Sequence, residues 1–403
     1  MSDGKRIVIL TADAGFGHRS AANAVASALQ ERYGDSCAAE IVNPLDDERV
    51  PAWLRHSQSD YDRIVRETPD LYRFGYEATD AAVPGFVMES ALTVMLFEVM
   101  RDVVRAHRPD AIVTTYPLYQ APLQAVYALG RRHVPTLTVV TDLVTVHRLW
   151  FHEVVDLCLV PTEAVRDLAQ EHGLAPRKVQ ITGIPVNPRI ARQVGDRNAL
   201  RAELGWRSDL ATLLVVGGTR VSHLGEMLRP LNHSGLPIQL AILAGKDEAT
   251  YRQFEETEWH VAAHLYGMSP DMPAMMHAAD GVMCKAGGLI VTEALACGLP
   301  LLLIDVLPGQ EAGNADYVVQ GGAGELAPDP VAALEILYHW LDKDAALMAA
   351  RAEKARALGR PQAAFEIAAH AWAAAERGPG PVSRHLARAR PKWVELLGHH
   401  DQE

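Results

Sequence analysis

The sequence is poor in the features that mark several broad classes of protein. It has only four cysteines in 403 residues, without a CxxC pair or a histidine at metal-ligand spacing, which argues against disulfides and structural zinc. A net charge of −12 gives no electrostatic case for nucleic-acid binding. No apolar run approaches the roughly 18–20 residues that cross a bilayer, and the first residues do not resemble a signal peptide. We therefore expect a cytoplasmic protein that binds no nucleic acid.

The residues that are present predict a folded α/β protein. A chain of 403 residues with 49% hydrophobic and 22% charged residues has the size of two ordinary domains. Apolar runs typical of strands alternate with helical patterns in two series. The first series has predicted strands at 6–11, 39–43, 111–116, 136–140, 156–160 and 179–182, and the second at 211–216, 238–243, 262–266, 281–284 and 301–304. This alternation predicts parallel sheets covered by helices on both faces.

The pattern also indicates where the domains begin and end. We predict a first domain at 1–183, a linker at 184–200 that opens with Ile-Pro-Val-Asn-Pro, a second domain at 201–360, and a helix with a basic tail at 361–403. Purely helical pattern follows Asp329. The tail around Trp393 fits a solvated terminus better than a binding element. An aromatic-rich insertion at 50–107 is either a helical cap on the core or an element that meets an acceptor or a lipid surface.

The run from Cys284 to Asn314 carries the strongest functional signal. A strand meets the glycine pair Gly287–Gly288 and a helix begins there, so free backbone N–H groups and the helix dipole offer a seat for phosphate. Glu293, inside that helix, is placed to accept hydrogen bonds from ribose hydroxyls. After the next strand comes a turn with side chains suited to reading a sugar, namely Gln310, Glu311 and Asn314. This order of groups matches a sugar nucleotide.

A second motif closes the first predicted strand. Gly15 and Gly17 allow a tight turn, but a dinucleotide fingerprint would also need glycine at position 20, which is Ser20. His18 falls at the start of the first helix, where the helix dipole disfavours the imidazolium form. We therefore expect a neutral histidine at pH 7 that is able to accept a proton.

A further polar cluster follows the predicted strand at 136–140. It contains Asp142, His147 and His152, and because ligands gather at the carboxyl ends of parallel strands, Asp142 and His147 are expected beside His18. The five-residue spacing of the two histidines, without a carboxylate or cysteine partner, is poor metal-ligand geometry. We therefore expect no metal.

These motifs together resemble a known family. The stretches GFGH-RSAA, TDL…H…WFH, ITGIPV and KAGGLIVTEALACGLP…PGQEAGN are similar to those of the monogalactosyldiacylglycerol synthase and processive diacylglycerol glucosyltransferase family, and more distantly to the MurG N-acetylglucosaminyltransferase. The resemblance spans about residues 5–325. It implies a GT-B fold, in which two Rossmann-like domains with parallel sheets face each other across a cleft, and the C-terminal helix packs back on the N-terminal domain.

The resemblance also implies an activity. It indicates an inverting transfer of a hexose from a UDP-sugar to a lipid hydroxyl, with diacylglycerol as the expected acceptor and with neither cofactor nor metal. The enzyme would be peripheral on a membrane surface, at the cytoplasmic inner face of the cell membrane. His18 would take the acceptor proton while the glycine-rich helix start stabilises the departing diphosphate.

The resemblance assigns roles to individual residues. The catalytic pair would be His18 with Asp142 orienting or assisting it. The donor would be bound by Gly218, Gly267, Met268, Lys285, Gly287, Gly288, Leu289, Thr292, Glu293, Gln310, Glu311 and Asn314. The acceptor side would be formed by Gly15, Phe16, Gly17, Thr145, His147 and Trp150.

Three other functions remain open from the sequence. The same transfer chemistry could serve a soluble natural-product acceptor instead of a lipid. A UDP-sugar 2-epimerase shares the fold and the glycine-rich helix, but it needs acid and base groups around C2 of the sugar, for which the sequence gives thin support. A non-catalytic sugar-nucleotide sensor would have no use for His18 and Asp142.

Overall fold

The structure is a computed structural model that describes residues 4–14, 16–55, 82–192, 195–218, 221, 223–269, 271–307 and 310–382. It divides into two compact units. The first comprises the chain up to Asp142, Val146–Pro185 and the chain from Gln362 onward, and the second comprises Leu143–Thr145 and Val186–Pro361. Each unit contains one six-stranded, all-parallel sheet with helices packed against it, which confirms the predicted α/β fold of two Rossmann-like domains.

The elements are numbered here in chain order. The strands are β1 Lys5–Leu10, β2 Cys37–Val42, β3 Ala111–Thr114, β4 Arg132–His133, β5 Thr136–Val139, β6 Leu157–Val160, β7 Val179–Ile181, β8 Ala211–Val216, β9 Ile238–Leu243, β10 Ala262–Tyr266, β11 Gly281–Lys285, β12 Leu301–Asp305, β13 Gly324–Leu326 and β14 Gly380–Pro381. The helices are α1 Phe16–Tyr33, α2 Ala82–His107, α3 Gln120–Gly130, α4 Glu163–Glu171, α5 Pro188–Ala191, α6 Arg197–Leu204, α7 Leu224–Asn232, α8 Glu248–Glu255, α9 Met272–Ala278, α10 Gly288–Ala296, α11 Gln310–Gln320, α12 Pro330–Leu358 and α13 Ala363–Arg377.

The first sheet has the strand order β2-β1-β3-β5-β6-β7. Its central strands are buried along their whole length, as expected for a parallel sheet with both faces covered. On one face, α1 and α13 pack side by side through small residues such as Ala22, Ala368 and Ala371, each with no exposed surface. Beside them the rings of Tyr33 and Trp372 stack at 4.3 Å between centroids. The alanines let the two helices approach closely, so α13 is part of the core of the first unit.

Helix α2 is formed by the second half of the aromatic-rich insertion. Leu92, Leu96, Phe97 and Met100 are buried in the core of the first unit, so the described part of the insertion serves as a cap on that core. Residues 56–81, the side chain of Phe86 and the basic tail around Trp393 lie outside the described residues. Within the described residues, no helix combines the length and the apolar character that a bilayer crossing requires.

The second sheet has the strand order β10-β9-β8-β11-β12-β13. The pairing of β11 with β12 shifts register between Cys284 and Lys285, a bulge of the kind that redirects a side chain at the end of a strand. Helix α12 starts at Asp329, whose carboxylate accepts from the N–H groups of Val331 and Ala332. The chain from there through α13 is helical, as the sequence predicts.

Each sheet has one topological switch point, where the strand order changes direction. In the first sheet this point lies between β1 and β3, and in the second between β8 and β11. Ligands of open α/β sheets bind outside the carboxyl ends of the strands at such points. The loops that follow these four strands are therefore where each unit is built to hold a ligand.

Candidate active site residues in each unit

His18 lies at the switch point of the first sheet, as the third residue of α1. Its Nδ1 is 3.0 Å from the hydroxyl oxygen of Thr141, which follows β5. The hydroxyl of Thr115, after β3, is 3.0 Å from the backbone carbonyl oxygen of His18. The ring of Tyr116 contacts the imidazole edge-on at 4.9 Å, and that of Trp150 lies at 6.0 Å between centroids. The imidazole is thus fixed by loops from three neighbouring strands.

The protein around the imidazole keeps it uncharged. Burial lowers the pKa of His18 to about 4, and a backbone hydrogen bond with Thr115 opposes that shift only in part. The position at a helix N-terminus acts in the same direction as burial, because the dipole repels a positive charge. His18 is therefore neutral at pH 7, in agreement with the expectation from the sequence. Its role as a base stays a prediction.

Asp142, which is predicted to assist His18, and the residues predicted on the acceptor side have varied surroundings. Asp142 and Trp150 are buried. His147 accepts a hydrogen bond from the Leu149 N–H at 3.2 Å and so caps the short helix Arg148–Trp150. His152 similarly accepts from the Val154 N–H at 3.1 Å. Both histidines therefore hold local backbone turns.

Four further residues predicted on the acceptor side are Gly15, Phe16, Gly17 and Thr145. Gly17 is the second residue of α1, and a Cβ built there has open space around it. Thr145 belongs to the second unit, and its hydroxyl packs against Gly313 of α11. A Cβ atom added to Gly313 would lie only 2.6 Å from that hydroxyl oxygen, so glycine fits this position without a clash. Gly15 and the side chain of Phe16 lie outside the described residues.

The carboxyl edge of the first sheet also holds groups that the sequence reasoning missed. Asp13 accepts two hydrogen bonds from Arg19, at 2.7 and 2.9 Å, and a third from Asn43 at 3.3 Å. The Arg19 guanidinium lowers the pKa of the Asp13 carboxyl. Asp13 and Asn43 each follow a strand, so their positions after β1 and β2 are a signal that could have found them. Thr141 follows β5 in the same way.

In the second unit, α10 begins directly after β11 at the switch point. Its N-cap is Gly287, and no described side chain caps the helix. The N-cap carbonyl of Gly287 accepts a hydrogen bond from the Val291 N–H at 3.1 Å, four residues further along the chain. The first-turn N–H groups of the helix before Val291 are therefore left for a ligand, and the dipole at this end favours an anion. Leu289, in this first turn, is half-buried.

Two polar side chains lie further along α10. The hydroxyl of Thr292 donates to the Gly288 carbonyl at 2.7 Å, within the helix itself. Glu293 is half-buried, and the partial loss of water around its carboxyl raises the pKa of that group to about 7. Its charge in turn raises the pKa of Cys297, one helical turn on, although burial is the larger cause there. Cys297 is a neighbour of Glu293 that the sequence reasoning missed, although the four-residue spacing on a helix places both on one face.

The loop after β12 is tied to the start of α10. The Lys285 ammonium forms a buried ion pair with Glu311, whose other carboxylate oxygen accepts from the Leu307 N–H at 3.0 Å. The amide of Asn314 donates to the Ala286 carbonyl at 3.0 Å. Glu311 and Asn314 thus hold the turn that precedes Gly287. Their role toward a sugar stays a prediction, and the Gln310 side chain lies outside the described residues.

Three glycines lie close together at the carboxyl ends of β8, β9 and β10. Gly218 and Gly245 have φ angles of 126° and 65°, a region that favours glycine. The Gly245 N–H donates to the Gly267 carbonyl at 2.8 Å, and a Cβ on Gly245 would lie 3.5 Å from the Gly218 Cα. This leaves a backbone surface beside Met268, whose side chain is 60% exposed. Gly245 was missed because an isolated Ala-Gly-Lys run carries no distinctive signal.

No group of three or more His, Cys, Asp or Glu side chains at metal-binding distance occurs in the part of the chain that the structure describes. The four cysteines are free thiols.

Solved structures resemble this fold over most of its length. Acinetobacter baumannii MurG covers 92% of this chain and 99% of its own, with a TM-score of 0.60 and 18% identity. A UDP-GlcNAc 2-epimerase from Neisseria meningitidis covers 92% and 99%, with a TM-score of 0.58 and 13% identity. At these identities the likeness shows the fold alone, and it confirms the GT-B class.

Curated relatives are more similar in sequence. A probable monogalactosyldiacylglycerol synthase from Nicotiana tabacum is 31% identical over 377 residues, which cover 90% of this chain and 69% of the relative. The Spinacia oleracea monogalactosyldiacylglycerol synthase is also 31% identical, with 90% and 71% covered. Monogalactosyldiacylglycerol synthase 3 of Arabidopsis thaliana is 30% identical, with 90% and 80% covered.

These relatives correct one expectation. The predicted location, cytoplasmic and at the inner face of the cell membrane, is contradicted because all three are named chloroplastic. The prediction rested on cysteine usage and on the absence of a signal peptide, and neither feature distinguishes the cytoplasm from another reducing compartment.

Family models match both halves of the chain. Residues 18–186 match the model described as monogalactosyldiacylglycerol (MGDG) synthase, and residues 212–369 match the glycosyltransferase family 28 C-terminal domain. Together with relatives at 30–31% identity over 90% of the chain, these matches establish that the protein belongs to the monogalactosyldiacylglycerol synthase family of glycosyltransferases.

Proposed function

We propose that this enzyme transfers a hexose, galactose by analogy with the names of its relatives, from a UDP-sugar to the free hydroxyl of diacylglycerol, with inversion at the anomeric carbon. The product is a β-glycosyldiacylglycerol. The observation that carries the proposal is the start of α10, where backbone N–H groups lack a side-chain cap. Lys285 is the last residue of the strand that leads into this helix. Such a helix start binds phosphate without a specialised side chain.

The second unit is proposed to bind the donor. The α10 start and Lys285 hold the diphosphate, and Glu293 accepts from the ribose hydroxyls. The glycine surface beside Gly267 and Met268 meets the uracil ring through its backbone. The sugar hydroxyls are bound by three polar residues at the start of α11, which are Gln310, Glu311 and Asn314. In this proposal no metal and no cofactor takes part, and the backbone N–H groups and dipole at the α10 start stabilise the charge of the diphosphate.

The first unit is proposed to activate the acceptor. His18 is neutral at pH 7 because burial lowers its pKa to about 4, so a ring nitrogen can take a proton. As the acceptor oxygen attacks the anomeric carbon, its proton passes to His18 and the bond from that carbon to the diphosphate breaks. The departing charge is stabilised by the preorganised donors at the α10 start. A lipid acceptor implies that the reaction takes place at a membrane surface.

Product analysis tests this proposal. The purified protein is incubated with diacylglycerol micelles and, separately, with UDP-galactose, UDP-glucose and UDP-N-acetylglucosamine, and the lipids are analysed by mass spectrometry. A mass increase of one hexose with UDP-galactose is the expected result. Slow UDP release without a lipid product would support a soluble acceptor instead, and an epimerised sugar nucleotide formed without any acceptor would support an epimerase.

A variant tests the role of His18. His18→Ala is expected to lower kcat by roughly 10²–10⁴, the usual contribution of a general base, with UDP affinity unchanged. His172→Gln is the matched control, because His172 lies at the end of α4 and therefore at the opposite edge of the sheet. A kcat for His18→Ala within a few-fold of wild type would remove His18 from the mechanism.

A further inference from the structure

One hydrogen-bond partner of the His18 imidazole is Thr141, the first residue of the TDL stretch, to which the sequence assigns no role of its own. The backbone of Thr115 also forms a hydrogen bond with the ring. Thr141 is 7% exposed, and its hydroxyl oxygen lies 3.0 Å from Nδ1 of His18. The two residues are 123 positions apart in the chain and meet because β1 and β5 flank β3 in the sheet. The neutral imidazole carries a proton on only one of its two ring nitrogens. If that proton is on Nδ1, the hydroxyl oxygen of Thr141 can accept it in a hydrogen bond. The contact therefore bears on which ring nitrogen carries the proton.

We propose that Thr141 is a positioning residue for His18: its hydroxyl oxygen accepts the Nδ1–H, so that Nε2 keeps its lone pair and is the nitrogen that takes the proton of the acceptor. This inference rests on the proposed function, in which His18 is the base. Without an acceptor at Nδ1, the ring can adopt the other tautomer and turn about its χ angles, and either change removes the lone pair from the reacting oxygen.

The step in which Thr141 acts conserves atoms and charge. The acceptor hydroxyl gives its proton to Nε2 of His18 and its electron pair to the anomeric carbon. The bond from that carbon to the diphosphate oxygen breaks, and its electron pair leaves on UDP. His18 is then an imidazolium whose Nδ1–H still donates to Thr141. The hydroxyl oxygen therefore serves the ring in both protonation states.

Two substitutions at position 141 separate positioning from packing. Thr141→Val keeps the shape of the side chain and removes the hydroxyl, and it is expected to lower kcat by about 10- to 100-fold, the order of loss that a displaced catalytic group causes, with the Kd for UDP unchanged. Thr141→Ser keeps the hydroxyl and is expected to restore kcat to within about threefold of wild type. Thr138→Val, which removes another buried hydroxyl from the same strand region, is the control and is expected to retain kcat.

A spectroscopic measurement reports the tautomer directly. Protein labelled with ¹⁵N-histidine is compared with His18→Gln to assign the ring signals of His18. Wild type is expected to show a protonated Nδ1 and an unprotonated Nε2, and Thr141→Val is expected to show a mixture of tautomers. A wild-type ring protonated at Nε2, or a Thr141→Val enzyme with wild-type kcat, would overturn the inference while His18→Ala still lost activity. If His18→Ala kept its activity, the proposed function of the site would fail instead.

Discussion

Glu293 and His18 are two ionisable residues whose surroundings favour the uncharged form. Burial raises the pKa of the Glu293 carboxyl to about 7 and lowers the pKa of His18 to about 4. A base that is neutral far below physiological pH is ready to accept a proton throughout the working range. A carboxyl that titrates near 7 makes donor binding sensitive to pH, because a carboxylate is a stronger acceptor than a carboxylic acid.

Donor affinity is therefore expected to rise with pH. If the ribose hydroxyls donate to Glu293, binding favours the carboxylate, so the Kd for a UDP-hexose should fall about five- to tenfold between pH 6 and pH 8. The ligand in this measurement is a UDP-hexose and not UDP, because the diphosphate diester of a UDP-hexose does not titrate between pH 6 and pH 8. Calorimetric titration at several pH values measures the effect. Glu293→Gln should bind without this slope, and Glu293→Ala should lose about 1.5–3 kcal/mol of affinity. A wild-type Kd independent of pH would argue against a ribose contact.

The Lys285–Glu311 pair leads to a prediction about stability. The two side chains are only 9% and 12% exposed, so removal of one charge leaves the other buried without its partner. Glu311→Gln is expected to lower the free energy of unfolding by about 3–5 kcal/mol, as measured by urea denaturation. Replacement of both residues, with Lys285→Met and Glu311→Leu, should cost clearly less, since no charge is left behind. Equal losses in the single and double variants would show that the pair is not coupled.

At the scale of elements, α13 depends on small side chains. Ala371 has no exposed surface, in a helix packed against α1, β1 and β3, while Ala373 on the same helix is exposed. Ala371→Leu is expected to destabilise the protein by about 1–3 kcal/mol, because a close-packed core cannot take up the extra volume without strain. Ala373→Leu is the control and should change the free energy of unfolding by less than about 0.5 kcal/mol. A tolerated leucine at 371 would mean that α13 can shift away from α1.

The strands and the start of α10 could be predicted from the sequence, whereas several side-chain contacts could not. Apolar runs bounded by glycine and polar residues identify buried parallel strands. A glycine pair before a helix predicts an anion site without knowledge of the fold, and that role stays a prediction. The Thr141–His18 contact depends on the order of strands in the sheet, which local pattern does not specify. The capping by His147 depends on its extended backbone and on the short helix Arg148–Trp150 that follows it, and the residue types alone specify neither.

At the scale of the whole molecule, the two units carry groups whose protonation affects stability in opposite directions. In the second unit, the folded-state pKa of Glu293 is about 7, above its unfolded value, so the folded unit binds a proton there and is stabilised as the pH falls. In the first unit, the pKa values of His18 and His152 are both about 4, below the unfolded value near 6.5. His18 and His152 are therefore expected to make the first unit less stable as the pH falls below about 6.5.

His152 allows this acid sensitivity to be measured without touching the proposed chemistry. Burial is the main cause of its low pKa, and because the folded state binds fewer protons than the unfolded state between pH 6.5 and pH 4, stability falls as the pH decreases through that window. At pH 4.5 the loss from this residue is about 2 kcal/mol. In His152→Asn the amide oxygen can still accept from the Val154 N–H, which the Nδ1 of His152 does at 3.1 Å, but asparagine does not titrate. Urea unfolding at pH 7 and pH 4.5 should thus show a smaller loss in the variant than in wild type, and since His18 titrates in both proteins its effect cancels. Equal losses of unfolding free energy in the two proteins would mean that folding does not lower the pKa of His152.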